Sequence, residues 1–268
     1  MLCLLTTAHA ETTTSHPFRG VTLHQRTEKS PRPMKVNVLE IDLGAPGVRF
    51  KVTPSNGKLP GETTLQTTRD FLIEQHAQLA VNASFYKIIE KRYGDSEGYT
   101  ASEGETYSGP STRPSGSPSL NIAKDNVVTI VDHKSGGPEP SAGELFNTVS
   151  GNERIIRGGK NVAKDARLHP RMAAGTRDGG HTLVILEIDG RQPKISEGAT
   201  TIEMANILLG YGVTEAINLD GGGSATMAIA DPSPRILNTP VGFKDIPGSQ
   251  RKNACNVAIF AEPNASRD

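Results

Sequence analysis

Tryptophan is missing from this chain of 268 residues, and cysteine is nearly so, with 2 copies. Cys3 lies in an N-terminal segment read below as a leader. Its loss would leave Cys255 alone, which excludes an intrachain disulfide and a cysteine metal centre. Cys255 sits in an apolar strand and reads as a small buried hydrophobe. Neither sign of charge is in excess, because 29 basic and 29 acidic residues cancel. With no Lys/Arg-rich block either, no nucleic-acid partner is expected. Beyond the N-terminus no run approaches the ~18 apolar residues that a membrane span needs. The 7 histidines show no HExxH or HxH spacing, so no zinc site and no resident cofactor are expected.

What is abundant is punctuation: 28 Gly and 18 Pro, a composition suited to many turns and short strands. The length fits a single large domain with a sizeable core. Residues 1–10 read as the tail of a secretory signal peptide, an apolar run followed by Ala8-His9-Ala10 in the small-x-small pattern. An exported protein, periplasmic or extracellular, is therefore expected.

The expected organisation is an N-terminal extension over 11–33, a domain over 34–261 and a tail over 262–268. Residues 34–53 alternate as a hairpin around Gly44-Ala45-Pro46-Gly47. Thr64 to Ala77 has helical spacing and leads into the strand Leu79-Ala80-Val81, which ends at Asn82. From 87 to 119 the chain is rich in Gly, Ser, Pro and charge and reads as a long surface loop. A hairpin over 120–131 and strands near 146–150, 154–157, 171–176 and 181–188 follow. Thr200-x-x-Glu203 is a capping box opening a helix to Leu209, and strands at 216–219 and 256–260 complete the set. The fold class expected is α+β: one domain with a mixed, largely antiparallel sheet core and flanking helices.

One segment carries more chemistry than the rest, Asn218-Leu219-Asp220-Gly221-Gly222-Gly223-Ser224-Ala225-Thr226. An apolar strand runs into a carboxylate, and three glycines then remove every side chain. Such a turn lets a ligand approach the backbone and offers N–H groups to an anion. It is not a P-loop, since no Lys follows the glycines, and Ser224 lacks the GxSxG surround of a hydrolase nucleophile. Asp220 and Asp189 each end an apolar strand, where partial desolvation tunes a carboxylate for acid–base or nucleophilic work. Asp189-Gly190 is equally a plain turn dipeptide. Arg171 and Arg251 each precede a buried strand and need an anion to hold, either a phosphate or an internal carboxylate. Arg191 reads as exposed, and His169, before Pro170, as a structural or solvated group with acid–base chemistry open to it. The strands ending at Asn82 and at Asn218/Asp220 are expected to converge on one cleft.

The segment 218–227 resembles the signature of the phosphodiester glycosidase family. Val81-Asn82-Ala83-Ser84-Phe85-Tyr86, His169-Pro170-Arg171-Met172-Ala173-Ala174-Gly175 and Ile188-Asp189-Gly190-Arg191 with Ser196-Glu197-Gly198 are similar to further family segments, in the same order. Ala83, Met172 and Gln250 depart from its usual Gly, Thr and Glu, so no catalytic role carries to position 250. The resemblance covers about 34–261 and implies hydrolysis of the bond between a sugar, GlcNAc-like, and a phosphodiester. It implies Asp220 as nucleophile or base, Asp189 as second carboxylate or as orienter of Arg171, and Arg171 and Arg251 on the phosphate. Asn82, Asn218, Gly221, Gly222, Gly223, Ser224 and Thr226 would bind sugar and phosphate oxygens. The implied partner is a sugar-phosphate small molecule or glycopolymer. Two rival readings use the same residues. One is a non-catalytic carbohydrate- or wall-polymer-binding module. The other is a phosphodiesterase with Asp189, Asp220 and Asn218 around a divalent cation.

Overall fold

The computed structural model describes residues 11–113, 116–134, 136–141 and 143–264; the expected leader at 1–10 lies outside them. Eight strands form the largest sheet, in the order Glu11–Phe18, Val21–Glu28, Met34–Asp42, Thr182–Ile188, Arg171–Arg177, Glu215–Leu219, Glu153–Arg157 and Lys160–Asn161, every neighbour antiparallel. A second sheet runs Pro234–Ile236, Met227–Ala230, Leu79–Asn82, Asn256–Phe260 and Arg49–Val52. A third contains Glu105–Ser108, Thr100–Ser102, Asn147–Ser150, Ser117–Ile122 and Val128–His133.

Strand alternation builds one core between these sheets. Leu183 and Ile185 of the large sheet meet Leu79, Val81, Met227 and Ile229 of the second and Leu120 and Val149 of the third. The intervening residues Val184, Leu186 and Ile188 face the opposite side, where Met204, Ala205 and Leu208 of the helix Thr201–Gly210 cover them. Likewise Ala80, between Leu79 and Val81, points outward and leaves room for Phe71 and Leu72 of the helix Thr68–Glu74. At 7 residues that helix could not persist alone. Burying Phe71 and Leu72, at roughly 2 kcal/mol each, holds it in place. The longer helix begins with the expected capping box, Thr200 and Glu203 each bonding the other's backbone.

Helices are scarcer than the α+β expectation. Among the described residues there are two, of 7 and 10 residues, and antiparallel sheet dominates. Two local expectations also change. The arms 34–42 and 49–52 do not pair with each other. Met34–Asp42 lies between Val21–Glu28 and Thr182–Ile188, while Arg49–Val52 pairs with Asn256–Phe260 in the second sheet. The Gly44–Gly47 turn is a crossing between sheets. The expected loop 87–119 is mostly strand: Tyr86–Ile89 pairs with Tyr93–Ser96, and Thr100–Ser102 with Glu105–Ser108. Glu90 and Lys91 take left-handed φ values of 47° and 52°. They make a tight turn without the Gly or Asn that announces one. The 11–33 extension contributes a hairpin to the large sheet, and no helix among the described residues is long and apolar enough to cross a membrane.

Candidate active site

The glycine turn lies where the large and second sheets meet, and Asn82 fixes it there. The Asn82 Nδ2 donates to Asp220 O at 2.6 Å, and its Oδ1 accepts from Thr226 N at 2.9 Å. Asp220 N donates to Ala83 O at 2.8 Å. The two strand ends thus converge as expected, but the Asn82 amide, 1% exposed, is committed to the turn's backbone rather than to a ligand.

Each glycine has its own reason. A Cβ on Gly221 would lie 2.5 Å from Pro170 O, and one on Gly223 would lie 1.7 Å from Gly242 O. Gly222 has φ +57°, and a Cβ there would stand 3.1 Å from Arg191 Nη2. The turn is therefore wedged between the chain at 170, the loop at 242 and two guanidinium groups, since Arg251 Nη2 is 3.0 Å from the Gly223 Cβ position. The Gly222 amide donates to Pro170 O at 2.8 Å and is not free for an anion.

A cleft of about 240 Å³ opens beside this turn, lined by Asp220, Gly221–Gly223, Asn218, Asn152, Arg251, Arg191, Arg171, His169, Asp165, Arg167, Pro170 and Phe85. Burial, opposed by a hydrogen bond from Ser224 and by the Arg251 charge, pushes the Asp220 carboxyl up to about 6. Arg251 donates from Nη1 to Ser224 Oγ at 3.3 Å, and its guanidinium carbon stands 4.1 Å from the Phe243 ring centroid. Asn218 Nδ2 donates to Asn152 Oδ1 at 2.6 Å. Asn218 Oδ1 and Arg251 Nε are buried with no hydrogen-bond partner among the described residues, although both side chains line the cleft. A buried polar atom without a partner is costly, and a polar ligand would remove that cost.

Arg171 is 6% exposed and already engaged, through Nε to Ala199 O at 2.8 Å and through Nη2 to Arg167 O at 2.6 Å and Asp165 Oδ2 at 3.3 Å. Hydrogen bonds from the Arg167 side chain hold the Asp165 carboxyl well below the usual carboxylate range. Arg171 is thus chiefly a pillar of the wall. Arg191 is exposed, as expected, and it also lines the cleft, with Nη1 on Asp245 Oδ1 at 2.9 Å and Nη2 against His169 Nδ1 at 3.3 Å.

Asp189 is the main departure from expectation. It continues the face of Glu187, and both carboxyls accept from Asn238 Nδ2, while Asp189 also accepts from Thr239 N. That face belongs with Leu183 and Ile185, whereas Arg171 shares the face of Ala173, on the other side of the sheet. Asp189 therefore neither orients Arg171 nor reaches the cleft, and Asp165 is the orienter. The divalent-cation set of Asp189, Asp220 and Asn218 is not assembled either, and among the described residues no three acidic, His or Cys side chains converge as a metal requires. Ser224 acts through Asp220 and Arg251, and the Thr226 hydroxyl is buried, without a partner among the described residues and outside the cleft lining.

Several contributors have only faint sequence signals. The polar residues Asp165, Arg167, His169 and Arg171, spaced two apart, all come to the lining of the cleft. Tyr86, next to Phe85, donates its hydroxyl to Lys252 O at 2.7 Å; burial, then the Asp220 charge, push its phenol up to about 12. Glu97 accepts from Arg113, whose guanidinium carbon lies 5.4 Å from the Phe85 ring centroid.

The phosphodiester glycosidase family model matches residues 75–260. The N-acetylglucosamine-1-phosphodiester alpha-N-acetylglucosaminidase catalytic domain of zebrafish, auto-inhibited by its pro-peptide, superposes with a TM-score of 0.66 at 17% identity, covering 95% of this chain and 89% of that one. A Burkholderia pseudomallei protein described as exported gives 0.68 at 13% identity, covering 94% and 96%. At such identities the likeness concerns the fold. The SPbeta prophage-derived protein YomE of Bacillus subtilis is 46% identical over 61 residues, 23% of this chain but only 9% of YomE's length.

Proposed function

The chain belongs to the phosphodiester glycosidase family, and on that footing we propose that it hydrolyses the bond between the anomeric carbon of a GlcNAc-like sugar and a phosphodiester. The observation that carries this reading is the single cleft holding a carboxyl tuned to about 6, two guanidinium groups flanking a glycine turn, and two buried polar atoms awaiting partners. A phosphodiester is already a good leaving group, so the chemistry calls less for a strong acid than for cations on the phosphate and a carboxylate at the oxocarbenium-like centre. Asp220 takes the second part, as nucleophile or as base toward water. Water's oxygen ends on the anomeric carbon, and the phosphate leaves as a monoester held by Arg191 and Arg251. The Gly221 and Gly223 amides and the Asn218–Asn152 pair supply further hydrogen bonds to sugar and phosphate oxygens. Arg171 acts as the support beneath His169, through its contacts with Asp165 and the backbone. Export fits a substrate of the cell exterior, a glycopolymer or its fragments.

Incubation with UDP-GlcNAc and identification of the products tests the proposal. Release of GlcNAc with UDP is the expected result. UMP with GlcNAc 1-phosphate would make the protein a phosphodiesterase, and binding without turnover of any glycosyl phosphodiester would make it a carbohydrate-binding module.

A further inference from the structure

We infer that His169 is a substrate-contacting hydrogen-bond donor of this cleft, a neutral imidazole that offers its Nε2–H to a phosphate oxygen and whose tautomer Arg191 sets. The inference rests on the reading of the cleft as a phosphodiester site.

The backbone at 169 is held from both sides. His169 N donates to Ala199 O at 3.3 Å and Ala199 N returns to His169 O at 3.0 Å. Gly198, at φ +99°, would place a Cβ 2.5 Å from His169 O, and a Cβ on Gly190 would fall 2.5 Å from Pro170 N. Only glycines allow His169-Pro170 to thread between these two segments. The ring it carries lines the cleft.

Arg191 supplies the second constraint. It sits at φ +57°, a left-handed conformation that is sparsely populated by residues other than glycine. From there its Nη2 lies 3.3 Å from His169 Nδ1 and 3.1 Å from the Gly222 Cβ position. A guanidinium has donors only, so Nδ1 must present its lone pair and the ring proton must sit on Nε2. Nε2 has no hydrogen-bond partner among the described residues and is left for a ligand.

The surrounding charges keep the ring neutral. Burial first, then the charges of Arg171, Arg191 and Arg167, pull His169 below its ordinary value, and Asp165 opposes them. Asp165 already receives Arg167 and Arg171, Asp245 is bonded to Arg191, and Asp220 and Arg251 line the same cleft. An uncharged donor adds a directed bond without changing the site's charge while Asp220 titrates near 6.

The test uses the full chain and two readouts. In nitrogen-15 NMR at pH 7 the His169 ring, assigned by its loss in His169→Gln, is expected as the neutral Nε2–H tautomer. Adding inorganic phosphate is expected to shift its Nε2–H resonance, and in Arg191→Gln the titration midpoint moves upward and the tautomers mix. On UDP-GlcNAc, His169→Ala is expected to lose about tenfold in kcat/KM, the scale of one hydrogen bond. His169→Gln, whose amide reaches the Nε2 position, recovers most of this, and His169→Asn, which reaches only Nδ1, does not. A merely structural histidine would not separate the two amides. An Nδ1–H tautomer, a charged ring at pH 7, or His169→Ala with unaltered kcat/KM would overturn the inference. Should no glycosyl phosphodiester be cleaved, the tautomer and the phosphate-dependent shift still support it, and only the activity reading falls.

Discussion

The Arg171 Nη2 lies 3.3 Å from Asp165 Oδ2 and 2.6 Å from the Arg167 carbonyl, so this guanidinium is part of the cleft wall before any ligand arrives. Arg191, more exposed and paired at 2.9 Å with a half-exposed Asp245, is the cation with freedom to meet a phosphate. Two variants separate these roles. Arg171→Met breaks a buried, hydrogen-bonded ion pair and is expected to cost about 3 kcal/mol of stability in denaturant unfolding. Arg191→Gln loses a surface pair, about 0–1 kcal/mol, while KM for a glycosyl phosphodiester rises about tenfold or more.

Asp220 couples reactivity to pH with a definite sign. Burial raises its carboxyl to about 6 in the folded chain, from an ordinary value of 3.8. Between those values the folded state keeps a proton the unfolded state has released, so stability falls as pH rises through that window and levels off above it. The ionised form is the reactive one, so kcat/KM should climb through about pH 6. Asp220→Asn is expected to lose about 10²–10⁴-fold in kcat while melting at pH 7 no lower than the parent. Rate profiles and thermal unfolding on the same preparations check both halves.

Asp189 provides the contrast. It bonds the Asn238–Thr239 segment from the face of the sheet opposite Arg171. Asp189→Asn retains an acceptor and is expected to keep kcat. Asp189→Ala leaves Thr239 N without its acceptor and should cost about 1–3 kcal/mol of stability. A collapse of kcat in folded Asp189→Asn would return this residue to the chemistry.

Glycine substitutions distinguish packing from conformation. A Cβ at 223 would meet the Gly242 carbonyl at 1.7 Å, so Gly223→Ala must displace the loop that carries Phe243 and Arg251. Loss of activity together with a destabilisation of about 1–3 kcal/mol or more is expected. Gly210 ends its helix with nothing within 4 Å of a Cβ. Gly210→Ala should therefore gain roughly 0.5–1 kcal/mol with activity intact, as unfolding melts would read.

Patterns that depend on near neighbours were legible before folding. The capping box at Thr200 and Glu203, the 120–131 hairpin and the paired strands expected near 171–176 and 181–188 appear as written, because each is decided within a few residues or across one turn. The turn at Asp220 was equally plain, since three glycines in a row announce a place where side chains cannot fit.

Partner choice and facing were decided only by the tertiary structure. Nothing local tells Arg49–Val52 to leave Met34–Asp42 for Asn256–Phe260, two hundred residues away in the chain. The Glu90-Lys91 turn lacks its usual residues and is held by the pairing of the strands around it. Within the site, Asp189 and Arg191 look alike in sequence as polar residues beside one turn. Two positions apart and on either side of Gly190, one turns toward Asn238 and the other toward the cleft. The amino-acid sequence determined the alternating strands and the glycine turn at Asp220. Which carboxylate and which arginines gather around that turn was set by how the two sheets meet, because that contact is long-range and buries what local pattern leaves open.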